Sequence, residues 1–371
     1  MASSIFDKLQ VEFIDQDESV QVVADTIGSS GEVPERYVRH EIEANIVIID
    51  NANCYSLPVI DMSRLINPDF SEEEIAKLGS ACEEWGYFHL VNHGVDAGLL
   101  QQIKADITEF FRLPLQEKKA VAIPPNGLQG FGHHFFFPKE QKLDWADLLF
   151  LVTRPVEERS TDFWPTKPST FRDSLDKYSL EIANVSTKLF KLMAINLGVD
   201  EEALLGVFKG QTQSVRINHY PHCRQADKVL GFSAHTDGVG LTLLLQVNDV
   251  QGLQIRKDGR WFAVKNLPGA LVAMSVTFLR VSCFRSHQIL TNGKYKSIEH
   301  RAVINPDKGR ITLAAFHKPP LSCTIGVGPL QELLMKGEAR YKTVDVVEFT
   351  KGYFTAKLEG RSYLESLKLG V

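Results

Sequence analysis

Residues 241–264 read LTLLLQVNDVQGLQIRKDGRWFAV, and the class of fold is decided in this stretch. Two short apolar runs, 241–247 and 253–264, lie close together, and the second is interrupted by Asp258-Gly259. That dipeptide tolerates positive φ at both positions, which suits a two-residue hairpin turn. Working outward, similar runs recur as SVRINHY (214–220), ALVAMSV (270–276), ILTNGKYKSIEHRAVI (289–304) and RITLAAF (310–316), with Asn292-Gly293 at a second hairpin position. Short strands at such spacing predict a sandwich or a barrel.

Upstream of this region the period changes. LPVIDM (57–62) reads as a strand; Ser71 is an N-cap candidate with Glu72, Glu73 and Glu74 in the first turn, and Ile75, Leu78, Cys82 and Trp85 follow at helical spacing until Gly86. YFHLVNHGV (87–95) reads as a strand entering a turn. Amphipathic helices are expected over 97–113 and 172–197, the second ended by Gly198. Between them, LQGFGHHFFFPKEQKLDWADLLFLV (128–152) is a glycine-punctuated aromatic loop entering a strand; Phe131 and Phe135 there either line a pocket or fill the core. The first 55 residues read as a helix or extended arm with no chemistry attached. Near the C-terminus a helix carries Leu330, Leu333 and Leu334, with further helical turns around Tyr363 and Leu367.

With 371 residues, 44% hydrophobic and 23% charged, the chain can bury a core without disulfides. Its net charge of -5 and scattered lysines and arginines give no nucleic-acid footprint. The cysteines Cys54, Cys82, Cys223, Cys283 and Cys323 are odd in number and far apart, the pattern of reduced thiols. No apolar run reaches bilayer length and MASSIFDKLQVEF lacks leader composition, so a cytoplasmic monomer with no membrane partner is expected.

The strongest chemical signal is His235-Thr236-Asp237, with His300 far downstream. Alternate residues of a strand share a face, so His235 and Asp237 can offer an imidazole and a carboxylate to one ion. His300 follows the Asn292-Gly293 turn, and a hairpin there brings its strand alongside. Two histidines and one carboxylate suit the facial triad of iron(II) oxygenases, although the same set also suits zinc with a bound water. Arg310 and Thr312, two apart in RITLAAF, supply a guanidinium fork and a hydroxyl on one face for a carboxylate, and Tyr220 can add a phenolic donor. An anion clamp beside the triad favours the iron reading.

The segments WGYFHLVNHGV, RINHYPHC, HTDGVGLTLLLQVNDVQGLQI, TNGKYKSIEHRAVINP and RITLAAF together resemble the plant 2-oxoglutarate- and iron(II)-dependent dioxygenases. With PERYVR and QKLDWADLLF, the likeness is to the branch holding the senescence-related, norcoclaurine-synthase-like and alkaloid O-demethylase enzymes. The resemblance implies an α+β fold, a double-stranded β-helix (jelly-roll) core flanked by helices. It divides the chain into an arm (1–55), a helical region (56–205), a β-core (206–320) and a C-terminal helical segment (321–371). It further implies that His235, Asp237 and His300 bind Fe(II), and that Arg310 and Thr312, with Asn218 and Tyr220, hold 2-oxoglutarate. The same resemblance implies O2 as second cosubstrate, ascorbate as reductant, and a small, aromatic specialised metabolite as the substrate, hydroxylated or O-demethylated, with Phe316 against it. Thr312 stands where the family more often has serine, and the hydroxyl is kept.

One segment departs from the family pattern. After GALV, residues Ala273–Gln288 replace the expected Gly-Asp turn with AMSVTFLRVSCFRSHQ. The alternative expectation is therefore a non-catalytic binding protein or an inactive splice variant that kept the pocket.

Overall fold

The computed structural model describes residues 19–28, 31–39, 47–48, 57–124, 127–133, 142–208, 212–237, 240–275, 290–318, 329–335, 337–344 and 366–369. Among them the strands are β1 (Val47–Ile48), β2 (Val59–Asp61), β3 (Tyr87–Val91), β4 (Gly130–Gly132), β5 (Asp147–Arg154), β6 (Thr212–Tyr220) and β7 (Leu230–His235). They continue as β8 (Leu241–Gln246), β9 (Leu253–Lys257), β10 (Arg260–Ala263), β11 (Leu271–Ser275), β12 (His300–Val303) and β13 (Arg310–Lys318). One sheet of eight runs β2-β3-β11-β8-β13-β6-β5-β4, and a sheet of five runs β1-β10-β9-β12-β7. The helices that matter for packing are α1 (Val20–Ile27), α2 (Met62–Leu65), α3 (Ser71–Glu84), α4 (Ala97–Arg112), α5 (Leu115–Lys118) and α6 (Phe171–Leu197).

Period-two alternation on the large sheet separates two cores. Leu241, Leu243 and Leu245 of β8, Ile311, Leu313 and Ala315 of β13, and Val215 and Ile217 of β6 pack with the apolar faces of α3, α4 and α6. The intervening residues face the small sheet: Leu244, Val272, Met274 and Ala314 meet Leu253, Ile255 and Phe262 between the layers. Being covered on both faces makes LTLLLQ a near-continuous apolar run rather than an alternating one. Leu243 and Leu313 have no exposed surface, and burial of that kind stabilises by roughly 1.5–3 kcal/mol per side chain. α6 ends where Gly198 adopts φ 65, which costs a residue without Cβ little.

Several local expectations are corrected. Asp258-Gly259 does close a hairpin between β9 and β10, with φ of 49 and 77. Asn292-Gly293 does not: both residues have positive φ, but no strand adjoins them among the described residues, and of the run 289–304 only His300–Val303 is strand. Turn propensity is local, whereas a ladder needs a partner edge. Ser71 is the first residue of α3 and Phe70 its cap, with no side-chain capping bond. The described part of the arm packs against the rest of the protein. Val20, Val23, Ala24 and Tyr37 join Trp145 and Tyr220 in an apolar cluster. Asp147 of β5 accepts hydrogen bonds from the Ser19 hydroxyl and the backbone N–H groups of Val20 and Gln21, so a distant strand supplies the helix cap. Cys82 and Cys223 are buried free thiols, while Cys54, Cys283 and Cys323 lie outside the described residues.

Candidate metal centre and cosubstrate pocket

β7 and β12 run antiparallel, and His300 is the register partner of His235. Asp237 lies just past the end of β7 rather than in it, so it reaches the two imidazoles from the segment that follows the strand. Asp237 Oδ1 stands 3.3 Å from His235 Nε2 and 3.6 Å from His300 Nε2. One ligand atom from each residue lies within 4.8 Å of the others, close enough to share an ion. Ala273–Ser275, the start of the departing segment, belong to β11 and pair with β3 and β8. Val276–Ile289 lie outside the described residues, and His300 still meets His235.

The hydrogen bonding and burial of these groups favour their metal-binding forms. His235 Nδ1 lies 2.7 Å from the Ser233 carbonyl, which can only accept, so in the neutral ring Nε2 keeps its lone pair. That Nε2 is buried with no hydrogen-bond partner, as a ligand atom awaiting a cation would be. Burial, followed by the neighbouring His235 ring, lowers the pKa of His300 to about 3 against the opposing pull of Asp237. For Asp237 burial alone would raise the pKa, but His300, His235 and the Thr242 hydroxyl outweigh it and hold the carboxyl well below its usual range. Neutral imidazoles and an ionised carboxylate are the forms that coordinate.

Register brings the candidate anion-binding residues together. β13 and β6 are antiparallel with Arg310 opposite Tyr220 and Thr312 opposite Asn218, so all four project between the sheets from one patch. Arg310 is 2% exposed; its Nη2 donates to Gln246 Oε1 at 3.0 Å, and its Nε has no partner. No described carboxylate pairs with it. Burial lowers its pKa, but a guanidinium stays charged, so a cation has been buried without an anion. Burial also raises the Tyr220 pKa, despite the Arg310 and Arg216 charges, so its phenol remains a donor beside Thr312.

The candidate metal cluster and clamp share one cavity, lined by Asp237, His300, Arg310, Thr312, Asn218, Tyr220 and, among others, Phe316. Phe131 does not line it: that ring packs against Phe110 and Phe111 beneath the helices, so the core role wins because β4 faces them. Phe135 lies outside the described residues. Three participants escaped the sequence reading. Thr242 donates to Asp237 Oδ2 at 2.8 Å, Gln246 holds Arg310, and Arg216, whose guanidinium lies 4.4 Å over the Phe232 ring, donates to Asn218. The available signal was polar Thr242 and Gln246 on one face of a leucine strand.

A His-His-Asp cluster in a two-sheet cavity, with a buried arginine that no described carboxylate pairs, fits the class of non-haem iron oxygenases. Residues 57–167 match the family described as the N-terminal region of non-haem dioxygenases in morphine synthesis, and residues 211–319 match the 2OG-Fe(II) oxygenase superfamily. S-norcoclaurine synthase 1 of Coptis japonica is 43% identical, over 95% of this chain and 96% of its own. An oxoglutarate-dependent flavonoid 7-O-demethylase of Ocimum basilicum is 38% identical, over 92% and 89%. The crystal structure of JOX2 in complex with 2OG, Fe and JA superposes with a TM-score of 0.81 at 30% identity, covering 96% of this chain and 99% of that one. The chain belongs to the 2-oxoglutarate- and Fe(II)-dependent oxygenases, with their jelly-roll fold and their cosubstrates.

Proposed function

We propose that this chain hydroxylates or O-demethylates a small aromatic specialised metabolite, with His235, Asp237 and His300 holding Fe(II) and with Arg310 and Thr312 holding the distal carboxylate of 2-oxoglutarate. The observation that carries the cosubstrate assignment is the buried Arg310, with an unpaired Nε and no described carboxylate, in the cavity that also receives Asp237 and His300. A buried charge of this kind is costly unless a ligand neutralises it, and a dicarboxylate that also chelates a metal fits both ends. Bound there, the iron supplies the redox chemistry that couples O2 and 2-oxoglutarate to oxidation of the substrate. The protein's own contribution is binding and orientation. Tyr220 and Asn218 support the cosubstrate end, while Leu244, Met274, Ala314 and Phe316 extend the lining of the same sheet with apolar side chains.

Phe316 is the wall residue assigned to the substrate, an aromatic face suited to an aromatic ring. The O-demethylation arm rests on likeness to the flavonoid demethylase. No helix among the described residues is long and apolar enough to cross a membrane, in keeping with the proposed cytoplasmic location. Succinate formation with iron(II), ascorbate and 2-oxoglutarate tests the function. Alkaloids, flavonoids and phenolics are screened, and the absence of substrate-stimulated turnover across all three classes rejects it.

A further inference from the structure

PERYVR and QKLDWADLLF are far apart in sequence and neither contributes a residue to the cavity lining. In the fold they meet behind β7. Arg39 Nη2 donates to Asp144 Oδ1 at 2.9 Å, to the Ser233 hydroxyl at 2.7 Å and to the Lys142 carbonyl at 3.0 Å. Asp144 Oδ1 accepts from the Ser233 backbone N–H at 3.0 Å and from the Ser233 hydroxyl. Ser233 in turn presents its carbonyl to His235 Nδ1 at 2.7 Å. Three segments, the arm, the loop before β5 and the ligand strand, therefore converge on the residue that orients one imidazole.

We propose that Arg39 and Asp144 are positioning residues for the metal centre: gripping Ser233, they fix the ring plane and tautomer of His235. This rests on the assignment of His235 as an iron ligand. The ion pair is buried, with side chains 9% and 2% exposed. Such pairs add little net stability over apolar replacements, because desolvation offsets the attraction. What a buried pair does supply is geometry, and here the geometry is spent two residues from a ligand. The surroundings make the grip rigid. The Trp145 N–H donates to the Leu230 carbonyl at 2.7 Å, the Leu143 N–H donates to the Arg36 carbonyl at 2.7 Å, and Tyr37 meets the Trp145 ring edge-on at 5.1 Å. An arm to which the sequence attached no chemistry thus acts on the iron through one carbonyl.

The test measures iron(II) affinity of the full chain under argon, together with the visible absorption of the iron–2-oxoglutarate chelate. Asp144→Ala and Arg39→Ala should weaken iron binding by about 10- to 100-fold, the usual cost of losing an outer partner of a ligand, and should shift the absorption band. Asp144→Asn, which keeps an acceptor for the Ser233 N–H, should recover part of the affinity. Ser233→Ala removes only the hydroxyl, so it reports on the grip if Asp144→Ala fails to fold, and a partial loss is expected. Leu189→Ala, in the helical core away from Ser233, controls for general destabilisation and should bind iron as the wild type does. The proposal is overturned if Asp144→Ala, or Ser233→Ala in its place, binds iron within about twofold of wild type with an unshifted band, or if Leu189→Ala loses as much affinity as Asp144→Ala. A wild-type chain that binds no iron fails differently: it rejects the ligand assignment itself, and the positioning role with it.

Discussion

Replacing Arg310 with alanine separates the cosubstrate clamp from the metal centre. The guanidinium is buried, uses one donor group on Gln246, has an Nε without a partner, and lines the shared cavity. A hydrogen bond to a charged group is worth roughly 1.5–3 kcal/mol, and every 1.4 kcal/mol is tenfold in affinity, so the 2-oxoglutarate requirement should rise by about 10- to 140-fold. Iron affinity should be nearly unchanged, because the proposed ligand atoms belong to His235, Asp237 and His300. Asp237→Ala should do the opposite, abolishing iron binding and turnover together, since two neutral imidazoles cannot replace the only anionic ligand. Arg310→Lys should recover part of the cosubstrate affinity, as a point charge lacks the planar fork. Ligand-free Arg310→Met should melt close to wild type, because relieving an unpaired buried charge offsets the acceptor left bare on Gln246. Anaerobic titration with iron and then 2-oxoglutarate, followed by steady-state succinate formation, reads all of these. A normal 2-oxoglutarate requirement in Arg310→Ala would refute the clamp, and equal loss of iron binding in the Asp237 and Arg310 variants would refute separate roles.

Thr242→Val keeps the shape of the side chain but removes the donor to Asp237 Oδ2; iron affinity, measured by competitive chelation, should fall about 10- to 100-fold. Phe131→Ala should cost about 3–5 kcal/mol in denaturant unfolding with substrate preference unchanged, whereas Phe316→Ala should raise substrate KM and leave the 2-oxoglutarate requirement alone; the reverse pattern would move the substrate wall to β4. Burial lowers the pKa of His317 from 6.5 to about 4, where Gln213 Nε2 donates to its Nε2 at 3.0 Å. The unfolded chain takes up that proton first, so stability present above pH 6.5 is lost as pH falls toward about 4, and urea melts of His317→Gln should show a shallower slope over that window.

The sequence by itself was enough for the family and for a candidate site. His235, Asp237, His300, Arg310 and Thr312 stood out as candidates because each type has a narrow chemical use and because two-residue spacing along RITLAAF puts guanidinium and hydroxyl on one face. Helix ends at Gly86 and Gly198 were equally legible, since left-handed backbone is a local property of the residue. What only tertiary structure decided was who stands opposite whom. Tyr220 faces Arg310 because β6 neighbours β13 in the sheet, Asn292-Gly293 makes a turn with no strand adjoining it among the described residues, and Phe131 turns to the helices rather than the cavity. Thr242, Gln246, Arg39 and Asp144 were silent in the sequence for the same physical reason: a serine carbonyl, a leucine strand or an arginine in an arm acquires a role only when long-range pairing brings it to the back of a ligand, and pairing energy depends on the whole sheet rather than on any local run of residues.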